Sequence, residues 1–262
     1  MSSSKILQIT DLHILPHVDD TLLGINTEAY FLQTLAQAHA THGQFDLILL
    51  TGDLGQDPNA DSYQRICRHL QTYQTPCLCL PGNHDDSDLM AIHLNAGLVS
   101  CRKHLLLGNW QIICLDSQKP GSPIGALSPE ELVFLEQTLT AHTQPALLAV
   151  HHHCVASQSS WMDTMQIENS AELLALVERF EQVKAITCGH LHQEMQASHK
   201  GIDILVTPAS CFQFKPKAAE FELDLLPPGY RVFDLFADGS FATRVYRLPI
   251  SMSDLQTQSH GY

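Results

Sequence analysis

No two of the eight cysteines in this chain stand three residues apart, so the Cys-x-x-Cys spacing of structural zinc sites is missing. Most of them sit inside apolar runs (PCLCL, QIICLD, AITCGH) and read as small buried hydrophobes of a reducing compartment, not as a disulfide framework. Basic residues are scarce as well. The chain has 14 Lys and Arg against 28 Asp and Glu, a formal net charge of −14. Nucleic acid polymers and anionic membrane surfaces are bound largely by neutralising phosphates with Lys and Arg, so neither is an expected partner. A phosphate-bearing substrate would need a local cation that the side chains do not supply, and bound metal is one source. The start, MSSSKILQITDLH, lacks the basic region and long apolar stretch of a signal peptide, and no apolar run reaches membrane-spanning length. The expectation is a cytoplasmic protein. No low-complexity stretch or internal repeat divides the 262 residues, of which 44% are hydrophobic and 16% charged, enough apolar content for a sizeable core. The chain reads as one domain over 1–250 with a C-terminal tail over 251–262.

What is present is a series of short apolar runs bounded by turn residues: KILQIT, FDLILLT, PCLCL, WQIICLD, ALLAV, VKAITC and DILVTP. Continuous Ile, Leu and Val over four to seven residues predicts strands buried on both faces. Helical patterns lie between several of them, over about 27–42, 60–73 (capped by Asp57 or Asn59), 128–142 and 170–180. In the third, Ser128 is the predicted N-cap, Pro129 occupies the first helical position, and Glu131 completes a capping box. The β-α-β-α alternation predicts an α/β fold with buried sheets. Beyond residue 190 the pattern becomes strands without helices, EMQASHKGIDILVTP and then YRVFDLF and FATRVYR joined by Asp238-Gly239.

The polar residues that follow these strands have one character. KILQIT is followed by Asp11-Leu12-His13, FDLILLT by Gly52-Asp53, and PCLCL by Pro81-Gly82-Asn83-His84-Asp85. ALLAV is followed by His151-His152-His153, and VKAITC by Gly189-His190-Leu191-His192. In α/β sheets, ligands and catalytic groups gather beyond the carboxyl ends of the strands. Taken singly, Asp-x-His or Gly-Asp is an ordinary turn. Five strand ends that all present oxygen or imidazole donors, none of them a thiolate, point to an open site for Fe, Mn, Zn or Co. His39, His42, His69 and His142 fall in or beside helical patterns and read as solvated or packed.

These motifs, in this order, resemble the calcineurin-like metallophosphoesterases over nearly the whole chain. QITDLH, LLGIN, TGDLGQD, PGNHD, CGHLHQE, TPASCFQFKP and PPGYRVFDLFADG further resemble the bacterial class III cyclic AMP phosphodiesterases. The resemblance implies a four-layer αββα sandwich of two mixed sheets flanked by helices, with a two-metal centre. It also implies that Asp11, His13, Asp53 and His192 hold one metal, typically iron. Asp53 would bridge to a second, typically manganese or iron, held also by Asn83, His151 and His190; zinc or cobalt are alternatives. A carboxylate has two oxygens and can bridge two cations, whereas a neutral amide oxygen is a weaker ligand. His151 is assigned because it directly follows the strand, with His152 as the fallback. Cys154 stands where the family has proline, which puts the local turn in question. The implied activity is hydrolysis of 3′,5′-cyclic AMP to 5′-AMP, with His84 as general acid and Asp53 at the metal bridge as the catalytic pair. His13, Asp53, Asn83, His84 and His192 would line the substrate site. Asp85 reads equally as an orienting partner of His84 or as the N-cap of the next helix. Phe212, Phe214 and Trp161 are candidates to stack on adenine or to lie in the core. The expected partner is the small-molecule cyclic nucleotide alone, for a monomer or homodimer. The alternatives are a broad phosphodiesterase of glycerophosphodiesters or 2′,3′-cyclic nucleotides, and a non-catalytic metal-site scaffold.

Overall fold

The computed structural model describes residues 3–259 and 261. Met1, Ser2, His260 and Tyr262 lie outside the described residues, the last two within the segment read as a tail. The first half of the chain runs β1 (Ser3–Ile9), α1 (Thr27–His42), β2 (Leu47–Thr51), α2 (Ala60–Gln71), β3 (Cys77–Leu80), α3 (Ser87–His93), β4 (Val99–Ser100), β5 (His104–Leu107) and β6 (Trp110–Cys114). The second half runs α4 (Pro129–Ala141), β7 (Ala146–Ala149), α5 (Ser170–Val177), β8 (Val183–Cys188), β9 (Met195–His199), β10 (Ile202–Val206), β11 (Gln213–Phe214), β12 (Leu223–Asp224), β13 (Gly229–Phe236) and β14 (Phe241–Arg247).

Two six-stranded sheets form, in the orders β14-β13-β1-β2-β3-β4 and β5-β6-β7-β8-β10-β9. β1 to β4 run parallel, with β13 and β14 antiparallel at one edge. β6, β7, β8 and β10 run parallel between antiparallel β5 and β9. Side chains alternate across each strand, and the alternation sorts the core into layers. Ile6, Leu47, Leu49 and Leu78 of the first sheet meet Ile112, Leu147, Ala149 and Leu205 of the second in one buried cluster. On the first sheet's outer face, Leu7, Ile9, Ile48 and Leu50 pack on Phe31 and Leu35 of α1 and on Ile66 and Leu70 of α2. On the second sheet's outer face, Ile113, Leu148 and Ile186 pack on Leu135 and Leu139 of α4 and on Leu173 and Val177 of α5. Burying each such side chain contributes about 1.5–3 kcal/mol. The order is helix, sheet, sheet, helix: the four-layer αββα sandwich.

Helix starts follow the expected caps, with Asn59 and Ser128 accepting from the third backbone N–H that follows each. The second half of the box at Ser128 is not made. The Glu131 carboxylate instead accepts from the Asp116 N–H at 3.1 Å and pairs with Lys103. The helices predicted over 60–73 and 170–180 end at Gln71 and Val177, where the chain tightens into turns bonded three residues back, Tyr73 N–H to the Leu70 carbonyl and Phe180 N–H to that of Val177.

A polar seam joins the two sheets beneath their carboxyl ends. The buried Gln8 side chain donates to Thr51 Oγ1 at 2.9 Å and accepts from the Thr187 and Thr207 hydroxyls at 2.7 Å each. Arg231 Nε donates to Thr207 Oγ1 at 3.0 Å, and burial lowers its pKa to about 10. Fully partnered buried polar groups of this kind fix one relative placement of the sheets. After residue 250 the chain folds back, burying Met252 and Leu255 in the α4–α5 cluster, with the Gln256 N–H donating to the Leu23 carbonyl. Among the described residues no helix is long and apolar enough to cross a membrane.

Candidate metal centre

The ends of β1, β2, β3, β7 and β8 bring the predicted donors together. Five of the residues there, Asp11, His13, Asp53, His190 and His192, hold left-handed backbone, with φ between 46° and 65°. Side-chained residues in this region are strained by roughly 1–3 kcal/mol each, and such strain concentrates where geometry serves function. Asp and His tolerate it better than most residues. Each turn is pinned from outside. Asp11 N–H donates to the Gly52 carbonyl at 3.0 Å and His13 N–H to that of Asp53 at 2.9 Å, while His190 N–H donates to Asp11 Oδ1 at 3.1 Å. Gly52, at φ +92°, passes so close to His151 that a Cβ there would lie 2.4 Å from the ring Nδ1. A Cβ on Gly82 would lie 2.2 Å from Asp53 Oδ1. Only glycine lets these loops approach.

Asp53 is central. Its Oδ2 lies 3.3 Å from His151 Nε2 and 3.7 Å from His13 Nε2, and its Oδ1 accepts the His84 N–H at 2.9 Å. On one side, His13 Nε2 and His192 Nε2 are 3.2 Å apart and Asp11 Oδ1 is 3.4 Å from His192 Nε2. On the other, Asn83 Oδ1 lies 3.2 Å from His151 Nε2, and His190 stands beside His151 with ring centroids 5.1 Å apart. All seven predicted ligands therefore meet in one place, with Asp53 grouped with Asp11 and His151 and also with His13.

The far ring nitrogens show what this arrangement is for. His151 Nδ1 faces the Thr51 carbonyl at 2.9 Å, His192 Nδ1 that of Phe212 at 2.9 Å, and His13 Nδ1 the Gln56 amide oxygen at 2.7 Å. An N–H at each Nδ1 is the tautomer these acceptors select. Each Nε2 then presents a lone pair toward carboxylate oxygens, an amide oxygen or another Nε2. Acceptors that face one another in a buried site need a proton or a cation between them. Burial alone would depress His151, but the Asp53 charge and hydrogen bond lift it to about 9, so one proton accounts for one contact. Burial lowers His13 to about 3 and His190 well below its ordinary value, so these two are neutral. Burial would raise Asp53, yet the neighbouring imidazoles hold it well below the carboxylate range. His190 Nε2 is buried with no hydrogen-bond partner among the described residues. Ionised carboxylates, neutral imidazoles and an orphaned ring nitrogen form a donor set that fits bound metal.

His152 is also buried. Its Nδ1 lies 2.7 Å from Ser117 Oγ, its Nε2 has no partner among the described residues, and it falls within one potential ligand group with His151 and His190. His153 is buried 3.6 Å from Asp163. Cys154 packs in the α4–α5 core; the sulfur near the donors is Cys211, 3.9 Å from His192 Nδ1.

Asp85 takes neither of its expected roles. Its carboxylate accepts from the backbone N–H groups of Leu54 and Gly55 at 3.0 Å and Gly82 at 2.9 Å, and from the Tyr63 hydroxyl at 2.9 Å. It thus stitches the loop carrying Asp53 to the loop carrying Asn83 and His84. Burial and the Asp53 charge raise it to about 6. The cap of α3 is Asp86, which accepts from Leu89 N–H at 2.9 Å. Phe212 is fully buried behind His13 and His192 and is core. Gln56, the Thr51 and Phe212 carbonyls and Tyr63 were not legible in the sequence, because a carbonyl that orients a ring has no residue-type signature.

Residues 4–194 match the calcineurin-like phosphoesterase family, whose members work with a dimetal centre. The chain is 41% identical over 260 residues to the 3′,5′-cyclic adenosine monophosphate phosphodiesterase CpdA of Haemophilus influenzae, covering 98% of this chain and 95% of that one. It is 39% identical to the protein of that name from Escherichia coli K12, covering 98% and 94%, and 36% identical to a 3′,5′-cyclic-nucleotide phosphodiesterase of Nostoc, covering 98% and 97%. Among solved structures, a dimetal phosphatase from Danio rerio superposes with a TM-score of 0.61 at 13% identity, over 88% of this chain and 95% of that one. Purple acid phosphatase PPD1 of yellow lupin superposes at 0.66 and 14% identity, over 94% and 52%; at such identities the likeness is one of fold. The sandwich, the donors gathered at its strand ends and a family match across most of the sequence agree, and this chain belongs to the calcineurin-like phosphoesterases.

Proposed function

We propose that the protein hydrolyses 3′,5′-cyclic AMP to 5′-AMP. The convergence of Asp11, His13, Asp53, Asn83, His151, His190 and His192 on one buried point carries the reading, and near-full-length likeness to relatives named for this reaction supports the substrate. In this reading Asp11, His13, Asp53 and His192 hold one cation, expected to be iron. Asp53, Asn83, His151 and His190 hold the other, expected to be manganese or iron. A bound cation pair neutralises the phosphodiester charge and acidifies water. That resolves how a chain of net charge −14 accepts an anionic substrate. The protein's own groups do the rest. Asp53 stays ionised and bridges the two groups. Asn83 and His84 line the cavity wall that the phosphate meets. His84 Nδ1 lies 3.3 Å from the Gln56 carbonyl, which orients the ring for proton donation to the departing ribose 3′-oxygen. Water oxygen bonds to phosphorus and releases a proton to solvent, the P–O3′ bond breaks, O3′ takes the proton of His84, and His84 is reprotonated from solvent.

The direct test is turnover of cyclic AMP by metal-loaded protein with products separated chromatographically, alongside cyclic GMP, 2′,3′-cyclic AMP and a glycerophosphodiester. The expected result is 5′-AMP as sole product and cyclic AMP among the best substrates. Faster turnover of the glycerophosphodiester or the 2′,3′-cyclic nucleotide would replace this reading with a broad phosphodiesterase. No turnover of any diester by protein carrying two equivalents of metal would make it a scaffold.

The triple histidine gives a graded expectation. His151→Ala should depress metal occupancy most, because His151 touches both Asp53 and Asn83. His152→Ala should depress it less and His153→Ala least, read by elemental analysis of each purified variant. A greater loss with His152→Ala would move the assignment one residue along.

A further inference from the structure

A cavity of about 330 Å³ opens beside the metal centre, lined by Asn83 and His84, by the apolar Trp161, Met165, Phe214 and Phe221, and by Gly261 near the C-terminus. The aromatic wall is built from edge-to-face contacts: Trp161 to Phe214 at 5.0 Å between centroids, Trp161 to Phe221 at 5.6 Å, and Phe214 to Phe221 at 5.5 Å. Phe214 in turn stacks on His192 at 4.3 Å, so the wall is continuous with the donor cluster. The loop that carries Trp161 is braced. The Ser157 N–H and hydroxyl both meet Asp163 Oδ1 at 2.6 Å, and buried Ser159 accepts the Lys217 N–H at 2.9 Å. One group in this wall is unsatisfied. Trp161 Nε1 is buried with no hydrogen-bond partner among the described residues. An indole N–H can only donate, and buried donors are almost always paired. An apolar cavity with one unpartnered donor on a residue of its lining, beside a site for a phosphodiester, fits a heteroaromatic ring that carries an acceptor nitrogen at its edge.

Resting on the phosphodiesterase reading above, we propose that this cavity is the base subsite and that Trp161 determines specificity within it: its indole N–H donates to a ring nitrogen of adenine, whose face lies on the Phe214, Phe221 and Met165 wall. Adenine offers N1, N3 and N7 as acceptors. Guanine replaces the N1 acceptor with a donor, so contact at N1 would disfavour cyclic GMP.

The test compares wild type, Trp161→Phe and Trp161→Ala on cyclic AMP, on its 1-, 3- and 7-deaza analogues, and on methyl p-nitrophenyl phosphate, a diester with no base. Trp161→Phe keeps an aromatic face and loses only the donor, so KM for cyclic AMP should rise about 3- to 10-fold, the worth of one neutral hydrogen bond. Trp161→Ala also removes a stacking surface and should raise it roughly 10- to 100-fold. Kinetics on the small diester, metal content and melting temperature should be unchanged in Trp161→Phe. One deaza analogue should bind wild type more weakly by the same factor, and Trp161→Phe should no longer distinguish that analogue from cyclic AMP. An unchanged KM in Trp161→Phe, equal losses on both substrates, or no discrimination among the deaza analogues would overturn the Trp161 assignment and leave the phosphodiesterase reading intact. A wild type that turns over the small diester but not cyclic AMP would overturn the substrate reading and this one with it.

Discussion

Asp53→Ala is expected to lose at least one of two metal equivalents and to lose activity by more than about 100-fold, the upper end of what removing an outer-shell partner of a metal site costs. The expectation follows from position. Asp53 Oδ2 lies 3.7 Å from His13 Nε2 and 3.3 Å from His151 Nε2, so one carboxylate oxygen faces a histidine on either side. Removing it also takes away the acceptor of the His84 N–H. Asn83→Ala, by contrast, deletes one neutral ligand of one group and should release mainly the second metal. Elemental analysis of both variants, with near-ultraviolet circular dichroism to verify the fold, separates these outcomes. Two equivalents retained in Asp53→Ala would reject the bridging role.

His84→Ala should cut cyclic AMP turnover by about 10²–10⁴, the usual worth of general-acid assistance, or roughly 3–5 kcal/mol of barrier. The ribose 3′-oxygen is a poor leaving group and needs its proton as the bond breaks. A bis-nitrophenyl phosphodiester expels a stable phenolate and needs little help, so its turnover should fall far less. The backbone N–H of residue 84 still reaches Asp53 Oδ1 in the alanine variant, so metal content should hold. The measurement is kcat on both substrates with metal quantified in each preparation. Equal losses on the two esters would leave His84 as a residue that grips phosphate or supports a ligand, and would remove it as the acid.

Much of the fold was legible because buried parallel strands announce themselves locally. LILL, CLCL and ALLA are apolar at every position since both faces of each are covered, and the structure buries them throughout. The short β4 and half-exposed β5 escaped notice, because two residues or a mixed HLLL carry no periodicity that outweighs a loop. Donor chemistry at the strand ends was also legible, since residue type is a local property and the α/β rule says where strand ends point.

The contacts that define the site were decided only by tertiary structure. Asp85 looked like a partner of His84 or a helix cap; folding brings residues 54, 55, 63 and 82 around its carboxylate instead, and Asp86 caps the helix. Glu131 looked like half of a capping box and is drawn away by Asp116 and Lys103. The ring orientations of His13, His151 and His192 are set by Gln56, Thr51 and Phe212, each distant from its histidine in sequence. A sequence determines which groups exist and which short segments bury themselves, because both follow from residue type over a few positions. Which lone pair faces which proton depends on separations of about 3 Å between segments that are distant in sequence, and only the packed sheets set those.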